Sequence, residues 1–370
     1  MIYLDNAATT FPKPDTVINT VTDFMLNCGA SPGRGGYDSA IRASEILYEC
    51  QESIAKLFSI PTPERIVFTK NATEAINAAI FGLINPGDEI IISSMEHNSV
   101  MRASHEATKR GASLKIAHGT PEGKILPESI ERLISSKTKL ICLIHSSNVS
   151  GTINDIYTVS RIAKRHKVYT LFDLSQSAGI IPIDASAFDL AAFSGHKGLF
   201  GTMGTGALYI RKGIDVKPLL YGGTGSYSES ARMPQEYPDL FHAGTVNAPG
   251  IAALNEGVRF ILREGVYEKE KEITRYLYDL LSEIPAVTIP GERERTSAVS
   301  VTVKNKDVVE LAEELNREGI CVRAGLHCAP LAHRTLGTIH SGTLRFSPGY
   351  FTEKAHIESA VSAFKKIIEK

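Results

Sequence analysis

No run in the 370-residue chain approaches the ~18 apolar residues that a membrane-spanning helix needs. The opening MIYLDNAATTFPKP lacks the charged leader and the apolar stretch of a secretory signal. An excess of charge of either sign is also missing: 40 Lys and Arg stand against 41 Asp and Glu, with no basic block, which argues against a nucleic-acid partner. Cysteine is sparse. Cys28, Cys50, Cys142, Cys321 and Cys328 are odd in number and scattered, with no C-x-x-C, which excludes a disulfide framework and a structural zinc site. They read as free thiols. The run GTMGTG at 201–206 is not a dinucleotide fingerprint, because a strand-like segment rather than a helix follows it. No Walker A, HExxH or G-x-S-x-G stands in a supporting context. These absences lead to the expectation of a soluble, cytoplasmic protein with no membrane, nucleic-acid or metal partner.

What is present is a rhythm. With 43% apolar residues the chain can bury a large core and is expected to divide into two domains. A helix-spaced pattern over Ser39–Phe58 precedes a strand at Ile66–Thr69 and a helix through Ala75–Leu83. Further strands are expected at Glu89–Ser93, Ser113–Ala117, Leu140–Ile144, Val168–Phe172, Leu190–Phe193 and Ala207–Ile210, with helices at Ser99–Arg110, Glu128–Ile134 and Ile156–His166. Such alternation predicts an α/β fold with a mostly parallel seven-stranded sheet covered by helices. After residue 250 the pattern changes. One long helix from Pro249 to about Ile284, short strands near 287–289, 298–303, 320–323 and 343–346, and helices at 308–317 and 353–369 describe a smaller α+β domain. The expected division is 15–250 for the large domain and 1–14 with 251–370 for the small one.

The stretch 168–197, VYTLFDLSQSAGIIPIDASAFDLAAFSGHK, carries the chemistry. Its two apolar runs read as strands buried on both faces, and each ends in a polar cluster: Asp173 with Gln176, then Ser194, His196 and Lys197. Ligands of open α/β sheets bind at the carboxyl ends of strands. An acid and a lysine placed there suit pyridoxal phosphate (PLP), whose ring nitrogen needs a carboxylate and whose aldehyde needs an amine.

Other junctions point to the same edge. Asn71, Ala72 and Thr73 stand where a helix begins, a place for a phosphate or simply for Thr73 as a cap. His97 lies between a strand and a helix, where an imidazole can stack on a pyridine ring. Asn148 follows another strand, its amide placed for the cofactor's phenolic oxygen. In the later part, Cys328 sits in a Gly- and Pro-bounded loop beside His327, a setting that favours a thiolate when a cation is near. A metal set of His327, Cys328 and His333 lacks a fourth ligand. Arg345, at a strand end, has the fork for a substrate carboxylate, and Arg34, in the Gly-rich 28–37 loop, could meet a carboxylate or a neighbouring subunit.

With these residues in place, the chain resembles the class V aminotransferase-like PLP enzymes of fold type I, and within them the cysteine desulfurase and selenocysteine lyase group. The resemblance rests on YLDNAATT at 3–10, NATEAIN at 71–77, EHNS at 96–99, SNVSG at 147–151, DLSQSAG at 173–179, SGHK at 194–197, AGTVN at 243–247, RAGLHCA at 323–329 and LRFS at 344–347. It implies that Lys197 binds PLP, Asp173 pairs with the ring nitrogen, and Gln176 and Asn148 lie near the phenolic oxygen. His97 would stack on the ring. Ala72, Thr73, Ser194 and His196 would hold the phosphate, with Thr245 reaching it from the second subunit of a homodimer whose active site lies at the interface. The resemblance also gives Arg345 the substrate carboxylate, and makes Cys328 the nucleophile that carries sulfur as a persulfide to an acceptor protein. RAGLHC is similar to the shorter-loop desulfurase type, although Leu326 stands where a histidine is common. L-cysteine is the implied substrate. Selenocysteine lyase, β-lyase or aminotransferase activity within the family, and a sulfur-relay scaffold with little turnover, are the alternatives.

Overall fold

The computed structural model describes residues 1–33 and 35–369. A short strand β1 (Ile2–Tyr3) and helix α1 (Asp15–Asp23), which passes into a π-helical turn at Phe24–Cys28, precede the long α2 (Asp38–Leu57). The alternation then runs β2 (Ile66–Thr69), α3 (Ala72–Leu83), β3 (Glu89–Ser93), α4 (Asn98–Lys109), β4 (Ser113–Ala117), α5 (Pro127–Glu131), β5 (Thr138–Ile144), α6 (Ile156–His166), β6 (Tyr169–Asp173), β7 (Leu190–Ser194) and β8 (Gly206–Ile210). The remainder holds α7 (Ala248–Arg263), α8 (Val266–Ser282), β9 (Val287–Thr288), β10 (Val299–Val303), α9 (Val308–Arg317), β11 (Ile320–Cys321), β12 (Arg323–Gly325), α10 (Pro330–Thr335), β13 (Thr343–Phe346) and α11 (Lys354–Ile368).

The strands β2 to β8 form the expected seven-stranded sheet, in the order β2-β8-β7-β6-β5-β3-β4. Only β8 runs against its neighbours. Side chains alternate between two apolar layers, as a strand's period of two requires. Ile91, Ile141, Leu143, Phe172 and Phe193 enter one layer, and Ile90, Ile92, Leu140, Cys142 and Leu171 enter the other. That double burial explains why these segments read as unbroken apolar runs. Two aromatic pairs fix the ends of β6 and β7: Phe193 stacks on Phe58 and Phe172 meets Phe188 edge-on, each pair with centroids 4.7 Å apart. All four rings are buried, and each such burial stabilises by ~1.5–3 kcal/mol.

A four-stranded antiparallel sheet, β12-β13-β10-β9, carries the later half. Val299, Val301, Leu344 and Phe346 pack on Leu277 of α8, Leu311 of α9 and Phe364 of α11. The opposite face of β10 and β13 bears Ser300 and Arg345, cross-strand partners that look toward the large sheet. There the Ser300 hydroxyl donates to the Val149 carbonyl at 2.6 Å. The chain's first residues join this part, since β1 pairs in parallel with β11 and Leu4 enters the same apolar cluster.

Several expected boundaries move. The single helix expected over 249–284 is two, parted where Glu264 is extended (φ −101°, ψ 151°) beside Gly265. The reason is a change of partner: Ile251, Leu254 and Val258 of α7 pack with the large sheet, whereas Ile273, Leu277 and Leu281 of α8 pack with the small one. One straight helix cannot keep one apolar stripe on both. The strand expected at 320–323 is likewise divided, β11 pairing with β1 and β12 with β13. Helices α1 and α10 were not expected, and α5 is shorter than the expected 128–134. Among the described residues no helix is long and apolar enough to cross a membrane.

Candidate active site

Five junctions of the large sheet meet at one edge. Lys197 leaves β7 through Ser194-Gly195-His196, and the loop is tight: a methyl on Gly195 would sit 2.2 Å from the Thr205 hydroxyl oxygen. Its main chain is clamped by the chain's first residues. The His196 carbonyl accepts from the Thr9 hydroxyl (3.0 Å), the Thr10 amide (3.1 Å) and the Lys13 ammonium (2.9 Å), while the Lys197 carbonyl accepts from the Thr10 hydroxyl at 2.7 Å. Gln176 joins the same clamp, its amide donating to the Ala7 carbonyl at 2.9 Å. The DNAATT segment therefore fixes the lysine, a role that nothing in its composition announced.

A cavity of about 180 Å3 is lined by Lys197 together with Asp173, His97, Asn148 and Gln176, and by Ala72, Thr73, Ser194 and His196. Burial pushes the Lys197 ammonium down to about 8, and the Arg345 and Arg323 charges push the same way against the pull of Asp173. A lysine that loses its proton so readily is a nucleophile and a base near neutral pH. Asp173 is 3% exposed. Its Oδ1 accepts from the Ser175 amide (2.9 Å) and hydroxyl (2.5 Å), leaving Oδ2 for the cavity.

His97 caps α4. Its Nδ1 accepts from the Ser99 amide at 3.1 Å, which puts the ring proton on Nε2. Burial lowers its proton affinity, as does the charge of Lys197, so the ring is a neutral imidazole at pH 7. Beneath it, wholly buried Glu96 accepts from the Ser93 hydroxyl and, at 2.9 Å, from the Ile144 amide. Burial pushes this carboxyl up to about 8, so Glu96 is largely protonated at neutral pH. The cap of α3 is Asn71 rather than the candidate Thr73: its Oδ1 accepts from the Glu74 amide at 2.9 Å. Hence the first-turn N–H groups of Ala72 and Thr73 stay free at the cavity wall.

Asn148 links this wall to the second half of the chain. Its side-chain amide donates to the His327 carbonyl at 2.6 Å, its own carbonyl accepts from Arg345 Nη1 at 2.9 Å, and its Oδ1 is buried without a partner. Cys328 follows on an exposed turn, with His327 and Cys328 both at positive φ (47° and 56°). Two successive non-glycine residues there hold strain. The turn is pinned further by the Cys328 carbonyl, which accepts from the Asn98 amide at 2.8 Å. His327 gives the thiol no cation: its imidazole turns inward to the Thr343 hydroxyl (2.9 Å) and is pushed down to about 2 by burial.

Arg345 is buried and ion-paired, Nη2 to Asp5 Oδ1 at 2.8 Å. It stands behind Asn148 rather than in the cavity wall. Thr245 is exposed and lines a different hollow, with Ser44, Thr224 and His242, so within one chain it is not brought to Lys197. Arg34 lies outside the described residues. Sequence reasoning gave no role to Glu96, Asp5 or Arg323, although all three lie inside the quoted EHNS, YLDNAATT and RAGLHCA segments. A buried acid next to His97 carries no local signal, because its burial depends on strands far apart in the chain.

The donor set fits PLP. The unpartnered His196 Nδ1 and Asn148 Oδ1, the free N–H groups opening α3 and the open Oδ2 of Asp173 are the polar atoms that such a ligand would satisfy.

Comparison with known proteins agrees with this geometry. The sequence model of the family described as "Aminotransferase class-V" matches residues 2–359. A protein of Methanothermobacter thermautotrophicus named "Probable cysteine desulfurase" is 33% identical over 370 residues, covering 96% of this chain and 92% of that protein. Among solved structures, the apo cysteine desulfurase of Thermococcus onnurineus NA1 superposes with a TM-score of 0.93 at 30% identity, covering 100% of this chain and 94% of that one. The cysteine desulfurase CsdA of Escherichia coli gives 0.90 at 26% identity, with the same coverage. The chain thus has the fold of these PLP fold type I enzymes and belongs to the class V aminotransferase family, in the branch whose relatives are cysteine desulfurases.

Proposed function

We propose that this chain is a PLP-dependent cysteine desulfurase that converts L-cysteine to L-alanine and leaves a persulfide on Cys328. The observation that carries the reading is the joining of two sites: Asn148 lines the cavity of Lys197, Asp173 and His97 and also holds the main chain of the Cys328 turn. A lysine site alone fits any member of the family. A pinned, exposed thiol beside it fits sulfur removal.

Lys197 would bind the cofactor, Asp173 its ring nitrogen, Gln176 and Asn148 its phenolic oxygen, and Ala72, Thr73, Ser194 and His196 its phosphate. When bound, PLP supplies an electron sink beside the substrate α-carbon. The chain's own groups do the rest. Arg345 takes the substrate carboxylate, and the Lys197 amine, neutral above about pH 8, removes the α-proton. The neutral His97 ring, oriented by Ser99, covers the reacting face. Cys328, as thiolate, attacks the substrate sulfur: an S–S bond forms, the Cβ–S bond breaks with its electron pair returning to the substrate, and one proton added at Cβ with one returned by Lys197 to Cα completes alanine.

The same reading makes the enzyme a homodimer in which the partner subunit's Thr245, and an Arg34 of either copy, complete the site. Residues 15–250 with α7 form the cofactor-binding domain, 1–14 with the chain after Gly265 the smaller one, and an acceptor protein collects the sulfur. Five free thiols suit a cytoplasmic compartment.

The test is turnover of the PLP-bound protein with L-cysteine and, separately, L-selenocysteine, following alanine in wild type and Cys328→Ala. Alanine from cysteine that falls at least about a hundredfold in the variant is the expected result. Alanine from selenocysteine alone, indifferent to the mutation, would make the protein a lyase instead.

A further inference from the structure

Arg345 is set in an unusual electrostatic position. Its direct cross-strand partner on β12 is Arg323, so two guanidinium groups leave the sheet on one face. Like charges placed opposite each other destabilise a strand pair unless an anion lies between them. One anion stands against Arg345: Asp5, 2.8 Å from its Nη2. Asp5 is held firmly by its own main chain. Its carbonyl accepts from the Ala8 amide (3.0 Å) and the Tyr3 hydroxyl (3.2 Å), and Asp5 bridges to Ser347, two residues beyond Arg345.

The set is nevertheless incomplete. Arg345 is 2% exposed, with Nη1 on the Asn148 carbonyl and Nη2 on Asp5, but its Nε is buried without a partner. Arg323 is exposed and, among the described residues, has no ion pair. Its charge reaches Lys197, His97 and Arg345 alike. Two cations are thus set against one anion beside the Asn148 wall of the cavity, with one positive charge in excess.

We propose that Asp5 is the charge-selecting residue of the substrate site. It neutralises one arginine, so that the site accepts an amino acid whose only net anionic group is its α-carboxylate and turns away one with a second acid group on its side chain. This rests on the reading of Arg345 as the carboxylate-binding residue. It explains why an acid stands beside a carboxylate-binding arginine at all: without Asp5 the paired guanidinium groups form a dianion site, and a substrate's side-chain acid becomes an asset rather than a penalty. Asp5 acts through Arg345 and is a positioning and selecting residue, not a catalytic one.

L-asparagine and L-aspartate test it, because they match in shape and differ by one charge. Both are titrated into the PLP-bound holoenzyme and their dissociation constants read from the change in cofactor absorbance, an equilibrium measurement that needs no sulfur chemistry. Wild type is expected to bind asparagine more tightly than aspartate. Asp5→Asn is expected to shift the ratio toward aspartate by about tenfold or more, the scale of one unscreened charge at this range. Asp5→Glu, which restores the charge, is expected to keep the wild-type preference. A wild type that binds aspartate as tightly as asparagine overturns the proposal whatever the variants do. So does an unchanged ratio in Asp5→Asn, an Asp5→Glu that behaves like Asp5→Asn, or an absorbance that neither amino acid alters. Absence of alanine from cysteine would instead count against the desulfurase reading and leave this ratio measurable.

Discussion

Replacing Gly206 with alanine tests whether backbone contact builds the part of the site proposed for the phosphate. Gly206 opens β8 and pairs with Thr69 of β2 on one side and Ser194 of β7 on the other. A methyl there would lie 2.7 Å from the Asn71 carbonyl carbon, 2.8 Å from its Cα and 2.9 Å from the Phe193 carbonyl oxygen. All three are main-chain atoms, so no side chain can turn away. To reach the 3.4 Å of an ordinary contact, Asn71 must retreat by about 0.7 Å, the difference from 2.7 Å, and it carries the start of α3 with it. Overpacking of this kind costs ~1–3 kcal/mol, and backbone on both sides puts it at the upper end. The free N–H groups of Ala72 and Thr73 move by the same amount, which is expected to weaken PLP binding by about tenfold, the loss of roughly one good hydrogen bond. Urea unfolding of the apo-protein and an absorbance titration with PLP measure the two effects. Gly222→Ala is the control: its only neighbour is the Ala243 methyl at 3.7 Å, so the expected cost is under ~0.5 kcal/mol. A Gly206→Ala protein that matches the control in stability and binds PLP with wild-type affinity would refute the close-approach account.

Two ionisations give further predictions. Lys197 of the apo-protein is expected to react with an amine-modifying reagent with a midpoint near pH 8, since its ammonium is pushed down to about 8 from 10.5; a midpoint above 10 would show that the burial is not felt. Glu270, 3% exposed in α8, is pushed up by burial to about 8 from 4.5. Its folded-state value lies above the unfolded one, so the native state keeps a proton that the unfolded chain releases. The stability it contributes is full below about pH 4.5 and is lost as pH rises toward 8. Glu270→Gln should remove a slope of up to ~1.4 kcal/mol per pH unit between those limits, read as the difference between wild-type and variant unfolding free energies. Parallel curves would rule out a buried titrating acid.

The strands of the large sheet were legible because their two faces are both buried. Segments such as Ile90–Ile92 and Leu190–Phe193 are apolar throughout, and little in a sequence resembles that except a parallel strand. Asp173, His97 and Lys197 were legible for a related reason: each follows such a run within a few residues, so each stands at the carboxyl edge wherever the strands lie in the sheet. Helix α10 and the division of 249–284 were not legible, since short helices and changes of packing partner leave the apolar period almost unaltered.

The sequence by itself therefore determined the strands of the large sheet, on which edge of it the polar groups collect, and which amine and acid line the cavity there. Those properties follow from local periodicity and from the chemistry of single side chains. The tertiary structure alone decided what lies behind that first layer. Only folding brings Thr9, Thr10 and Lys13 to the lysine turn, ties Asn148 to both the cavity and the Cys328 turn, and sets Asp5 against Arg345 across 340 positions of chain. A hydrogen bond or ion pair of that span leaves no periodic trace in either partner. It exists because β1 is laid beside β11 and β12 beside β13, pairings whose strands are two to four residues long and too short to announce themselves.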